Sequence, residues 1–262
     1  MDRTQLLMQS KYKRGAVTLG VFPALGAIAL MLLGLTACSS TTSSLERASS
    51  ESQAFYGWQH MPLPGKAATA YLPVHVAGRE AMEVQALSSA SLLRRKLGIA
   101  PEDLGQIRFS WQVPALMPTA DLARRDRADS VVRVVLSFDG DRSSLSTRDH
   151  MLSELVQLMT GEALPYATLM YVWCPTREAG SVITNPRTDR IRKLVVESGP
   201  ARLNQWLDYE RDIRADYRQV FGEEPGRLIG VAIMTDSDNT QSQARAWYGP
   251  VELDGAVLAR HP

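Results

Sequence analysis

The 262-residue sequence predicts a mainly β protein, an antiparallel β-sandwich or barrel decorated by two helices. Three observations carry this. Most of the chain beyond residue 54 breaks into short runs rich in β-branched and aromatic residues, with apolar positions spaced in twos. Two stretches alone carry a helical period. Strands and helices do not alternate and no Gly-rich phosphate loop occurs, so a parallel dinucleotide-binding sheet is not expected.

Taken in order, residues 70–76 and 81–87 are the faintest strands. Residues 107–113 follow and carry Trp111. In residues 130–138, SVVRVVLSF, the β-branched side chains dominate, and Val132, Val134, Leu136 and Phe138 share one face. Residues 147–160 form the first helix, with Met151, Leu152, Leu155, Val156 and Met159 on one stripe. Ser146 or Thr147 caps its start and Gly161 its end. Residues 167–174 are a strand with Leu169, Tyr171 and Trp173 on one side, and 190–197 are another. Residues 208–221 read as the second helix: Ile213, Tyr217, Val220 and Phe221 group together, Glu210 precedes Arg214 by four, and Gly222 is the stop. Pro225-Gly226 turns into a strand at 227–234, and 245–253 is the last, interrupted at Gly249-Pro250.

The first 37 residues read as a targeting segment. Arg3, Lys11, Lys13 and Arg14 make a basic flank, residues 16–35 an apolar core, and Leu35-Thr36-Ala37-Cys38 resembles a bacterial lipobox. In that motif a diacylglyceryl group joins the Cys and cleavage falls just before it. The expectation is a signal peptide over 1–37, an acylated Cys38 with a Ser/Thr-rich tether over 38–54, and one β-sandwich domain over 55–262. Several acyl chains on one Cys, palmitate among them, hold a protein at a membrane where one chain does so only marginally. Ser39 rather than Asp follows the Cys, which points to the periplasmic face of the outer membrane. The competing reading is an uncleaved anchor, since the apolar core is long enough to span a bilayer, although Gly20, Pro23, Gly26 and Gly34 weaken it as a helix.

Residues 1–37 hold four of the 29 Lys/Arg and one of the 28 Asp/Glu, which leaves 25 basic and 27 acidic residues, a net charge of −2. That balance gives no electrostatic case for nucleic-acid binding. Cys38 and Cys174 are the two cysteines. With Cys38 acylated, Cys174 has no partner, and the core folds without a disulfide. Ending an apolar run before Pro175, Cys174 reads as a buried, inert thiol.

Tyr171-Val172-Trp173, Trp206, Glu210-Arg211-Asp212-Ile213, Asp216-Tyr217, Phe221-Gly222, Ile229-Gly230-Val231-Ala232-Ile233, Thr235 to Thr240, Ala246 and Tyr248-Gly249 occur in one order. Phe109-Ser110-Trp111 and residues 131–138 extend the set upstream. This set resembles DUF3047, a family of bacterial envelope proteins defined only as a domain of unknown function. The resemblance implies no activity and no catalytic residue. A Trp near a short helix, an IGVAI strand, a polar acidic loop and a final strand are also similar to jelly-roll domains, some carbohydrate-binding modules among them. That likeness implies an antiparallel β-sandwich of jelly-roll, galactose-binding-like type with two short peripheral helices.

Three groups of residues are candidates for function. The Asp236, Asp238 and Asn239 oxygens of the TDSDNT loop suit either a turn or a structural calcium, which takes six to eight oxygens. An EF-hand is excluded, because its sixth and twelfth positions would be Gln241 and Trp247. Asp212 and Asp216, with Asp236 and Asp238, are the carboxylates that a glycoside hydrolase would need as a pair; the competing reading of Asp212 and Asp216 is a solvated helix face. Trp206 and Trp247 sit in polar sequence and are the indoles best placed to stack on a sugar, whereas Tyr171 and Trp173 alternate with Leu169 into a core. His60, His75, His150 and His261 have no metal spacing, and no serine-hydrolase elbow occurs. The leading expectation is a non-catalytic glycan-binding module. A hydrolase of envelope polysaccharide and an envelope assembly or scaffold protein are the alternatives.

Overall fold

A computed structural model describes residues 53–254. The targeting segment, Cys38 and nearly all of the tether lie outside the described residues, which belong to one compact unit. No helix among the described residues is long and apolar enough to cross a membrane.

Among the described residues thirteen strands form two sheets. They are β1 (Gln59–Pro62), β2 (Ala70–Val76), β3 (Arg79–Leu87), β4 (Ser91–Ile99), β5 (Gln106–Gln112), β6 (Ser130–Phe138), β7 (Ala167–Cys174), β8 (Val182–Thr184), β9 (Ile191–Ser198), β10 (Trp206–Asp212), β11 (Leu228–Asp236), β12 (Gln243–Tyr248) and β13 (Glu252–Leu253). The helices are α1 (Thr147–Thr160) and α2 (Ile213–Phe221). The larger sheet runs β1-β4-β11-β6-β7-β9-β8 and the smaller β10-β5-β12-β3-β2, with β13 on β5. The chain crosses repeatedly from one sheet to the other, as in a jelly roll. All pairs are antiparallel except β7 with β9, which are parallel across the connection through β8.

Between the sheets lies one core, built from alternate residues of each strand. Val132, Val134, Leu136 and Phe138 of β6 meet Trp111, Phe109, Ala246 and Tyr248 of the smaller sheet, with Tyr171 and Trp173 among them, as the alternation predicts. Helix α2 inserts Ile213, Tyr217 and Val220 into this core. The outward face of the larger sheet is covered as well: Leu122, from the segment between β5 and β6, packs on Val172, Cys174, Ile183 and Val195. Cys174 is free and buried.

Residues 208–221 are not one helix. Strand β10 takes residues up to Asp212, pairing with β5 from Trp206 opposite Gln112 to Asp212 opposite Gln106. The helix begins only at Ile213, where Asp212 accepts a hydrogen bond from the Ala215 amide as its cap. Alternation explains the strand: Leu207 turns inward, while Asp208, Glu210 and Asp212 turn to solvent. Glu210 therefore pairs with Arg108 across the sheet, at 2.9 Å, and not with Arg214.

Candidate functional site

Register places five outward side chains in one row across the smaller sheet. Trp206 of β10 stands opposite Gln112 of β5, Gln112 opposite Trp247 of β12, Trp247 opposite Glu83 of β3, and Glu83 opposite Leu72 of β2. Each has inward-facing neighbours in sequence, Trp111, Leu207, Tyr248 and Val84 among them, so the row is the solvent side of the pleat. Two strand spacings separate the indoles, about 9–10 Å.

Both indoles belong to the same kind of unit. The Arg245 guanidinium lies 4.6 Å from the Trp247 ring centroid, and Glu83 accepts from Arg245 Nε at 2.9 Å and from Trp247 Nε1 at 3.2 Å. Gln85 also donates to Glu83. The hydrogen bond from Arg245 is the main cause that holds the Glu83 carboxyl below its ordinary pKa, so it stays an anion. On the other side Arg79 lies 5.3 Å from the Trp206 ring and makes a forked pair with Asp208, at 2.7 and 3.3 Å. Gln112 lies between the two units and donates to the Asn204 carbonyl at 3.3 Å. Its Oε1 and Trp206 Nε1 are closed off from solvent and have no hydrogen-bond partner in the protein. Gly249 makes room here, since a Cβ there would come 2.1 Å from Ser110 Oγ and 3.8 Å from the Trp206 ring.

The TDSDNT loop is built differently. Asp236 is fully desolvated against Arg133, which donates through Nε at 3.1 Å and Nη2 at 2.7 and 2.8 Å, and it also accepts from the Ser130 amide at 2.8 Å. Burial pushes its pKa up to about 6 against the pull of Arg133. Asp238 pairs with Lys66. Asp129, over a hundred positions upstream, accepts from both nitrogens of Asn239 (3.2 and 2.8 Å) and from the Thr240 amide and hydroxyl (2.7 and 2.6 Å). Carboxylate oxygens of Asp129, Asp236 and Asp238 lie within 4.8 Å of one another. As cation ligands they are already engaged, two with basic side chains and one with four N–H and O–H donors.

Asp212 and Asp216 do not join them. Asp212 is a helix cap, and Asp216 is buried, accepting from Tyr171 Oη at 2.9 Å and from Arg211 at 2.5 and 2.9 Å. The helical spacing expected to align these two carboxylates is absent because Asp212 ends a strand. The four aspartates thus fall into sets that share no hydrogen-bond partner.

A family model described as a protein of unknown function (DUF3047) matches residues 56–252. The chain belongs to the DUF3047 family. No curated protein matches this DUF3047 member. Among solved structures, the family 11 carbohydrate-binding module of the cellulosomal cellulase Lic26A-Cel5E of Clostridium thermocellum is 10% identical, covering 78% of this chain and 91% of that chain at a TM-score of 0.37. The xyloglucanase domain of NopAA, a type three effector from Sinorhizobium fredii, is 9% identical, covering 75% and 92% at a TM-score of 0.39. Similarity at this level identifies neither a ligand nor a reaction for this chain.

Sequence reasoning selected Trp206 and Trp247 but missed Gln112, Glu83, Arg79 and Arg245. A partial signal existed, since Glu83 and Arg245 fall on the polar side of alternating strands. Asp129 carried no signal, because its partners are distant in sequence.

Proposed function

We propose that the protein is a lipid-anchored envelope protein whose folded domain binds glycan without catalysis, through the outward face of the smaller sheet. One observation carries this reading: Trp206, Gln112 and Trp247 stand in register on adjacent strands. Flat indoles take the apolar faces of sugar rings, and two of them separated by an amide span about a disaccharide. Arg79, Asp208 and Arg245, exposed beside the indoles, supply the donors and acceptors that ring hydroxyls require. Rigid strands hold all of these groups, so little ordering entropy opposes binding. The lipobox-like Leu35-Thr36-Ala37-Cys38 supports the anchor, and Ser39 after the Cys supports the periplasmic face of the outer membrane.

The test is co-sedimentation with insoluble peptidoglycan and a panel of polysaccharides, with reducing ends measured in the same tubes. Binding without new ends is expected. Trp206→Ala and Trp247→Ala should each weaken it by about ten-fold or more, a loss of roughly 1.4 kcal/mol, with little change in Tm. Unchanged affinity in both variants sinks the site, and new reducing ends make the protein a hydrolase.

A further inference from the structure

Helix α1 turns part of its apolar stripe away from the protein, while Leu152 and Val156 stay half-buried. Met151, Leu155, Leu158 and Met159 are 66%, 54%, 86% and 61% exposed, whereas Asp149 and Ser153 are 8% and 5% exposed. Specific bonds set this orientation. Asp149 accepts from Thr188 Oγ1 at 2.5 Å and Ser146 Oγ at 2.6 Å, and Arg142 donates to Ser153 Oγ at 2.5 Å. At spacings of four, seven and eight, the exposed residues make one continuous ridge. Four of the eight large apolar side chains exposed among the described residues lie on this one helix.

We propose that this ridge rests in the interfacial layer of the membrane that carries the Cys38 anchor. The inference rests on the anchoring part of the proposed function and is independent of the glycan site. Size favours lipid over a second copy. A helix of 14 residues is about 21 Å long and presents a strip about 10 Å wide. That strip is about 200 Å², far below the roughly 800 Å² per partner of a stable interface. Placement in the chain agrees. Gln59 of β1 pairs with Arg94 of β4, and Arg94 and Lys96 hold Glu162, just past the end of α1, at 2.6, 2.8 and 2.9 Å. The helix is thus tied to β4, the strand that pairs with β1, the first strand of the described chain. Cys38 precedes Gln53 by 15 residues, a reach of at most about 50 Å. Charge sets the character of the contact. Arg148, Asp149, His150 and Glu154 leave α1 close to neutral, so apolar burial and not attraction to anionic headgroups drives it.

The acylated full-length mature chain in phosphatidylcholine vesicles provides the test. An environment-sensitive thiol probe is placed at Leu158→Cys or, as control, at Leu87→Cys, which is 66% exposed on β3. Cys174 is buried and does not compete. Mass spectrometry of the same sample reads acylation of Cys38. The expected result is a blue shift at Leu158→Cys and loss of most emission to spin-labelled lipid, unaffected by salt and absent at Leu87→Cys. Equal emission at the two positions on acylated protein overturns the proposal. So does a shift at Leu158→Cys that follows protein concentration without vesicles, since that marks a second copy. A vesicle-dependent shift on chains found unmodified at Cys38, read in a Cys38→Ser background so that the probe has one site, upholds the lipid contact and removes the anchor. No shift on such chains removes both.

Discussion

On the outward face of the larger sheet, Lys193, Arg133 and Asp236 are sealed under the segment that carries Leu122 and Ala128. On the outward face of the smaller sheet, Trp206, Gln112, Trp247 and Arg245 remain in contact with solvent. Both faces mix apolar and charged residues on alternating strands. The difference is what covers them, and it decides what each ionic pair is worth. A sealed pair has lost its water and must be complete, while an open pair keeps water as a substitute partner. The sealed face therefore holds the structure, and the open face is free to hold a ligand.

The largest expected effect breaks the sealed face. Arg133→Met leaves Asp236 buried without its guanidinium and should cost about 3–5 kcal/mol. Arg79→Met on the open face, whose partner Asp208 is itself exposed, should cost under about 1 kcal/mol. Chemical denaturation of both variants checks the contrast. The Arg133→Met loss should shrink as pH falls towards 6, because without the guanidinium's pull the Asp236 carboxyl lies above the value of about 6 that it has beside Arg133, and its neutral form tolerates the missing partner. Equal losses in the two variants would show that the covering segment does not exclude water.

Lys193 sharpens the same comparison with the opposite sign. It is fully buried, donates to the Leu122 carbonyl at 2.9 Å, and burial lowers its pKa from 10.5 to about 7. An ammonium easier to deprotonate in the fold than in the unfolded chain makes the fold less stable while protonated. The cost is full below pH 7 and fades as pH rises from 7 to 10.5. Lys193→Met should therefore raise stability at pH 7 by about 1–3 kcal/mol, after the lost bond to Leu122 is discounted. It should also flatten the rise in stability between pH 7 and 10. A thermal melt series across that range decides it, and a variant less stable at every pH would show that the Leu122 bond outweighs desolvation.

How much of this was legible in the sequence follows from range. Residues 130–138, 167–174 and 147–160 are read with the bounds that the structure has, because β-branched runs and the Ser146 and Gly161 caps are local signals. Strand β4, SLLRRKLGI, carries no clear strand signal in the sequence because Arg94, Arg95 and Lys96 interrupt its alternation. Most of strand β10 reads as helix in the sequence because Glu210 and Arg214 have helical spacing, although Leu207 between outward Trp206 and Asp208 carries a period of two. The stripe of α1 was legible, but not its direction, which depends on Thr188 and Arg142 reaching Asp149 and Ser153. Trp206 and Trp247 were legible as indoles in polar sequence. Their alignment through Gln112 was not, because register is a property of pairing and no single strand encodes it.

The smallest expected effect concerns the TDSDNT loop, where the sealed face approaches a metal site in composition. Asp129, Asp236 and Asp238 offer three close carboxylates, yet Arg133 and Lys66 already supply the positive charge that a cation would bring. Calcium seeks six to eight oxygens, and here it would have to expel at least one of these side chains. Calcium or a chelator should therefore leave Tm unchanged. Ligand at a hundred times its Kd would add about 2.7 kcal/mol, which is several degrees for a domain of this size, so the measurement is decisive. A rise of that size would identify Lys66 as the group displaced, because its side chain is 41% exposed and can leave, whereas that of Arg133 is 6% exposed and cannot. Lys66→Gln would then enlarge the rise, and its failure to do so would place the bound calcium elsewhere on the molecule.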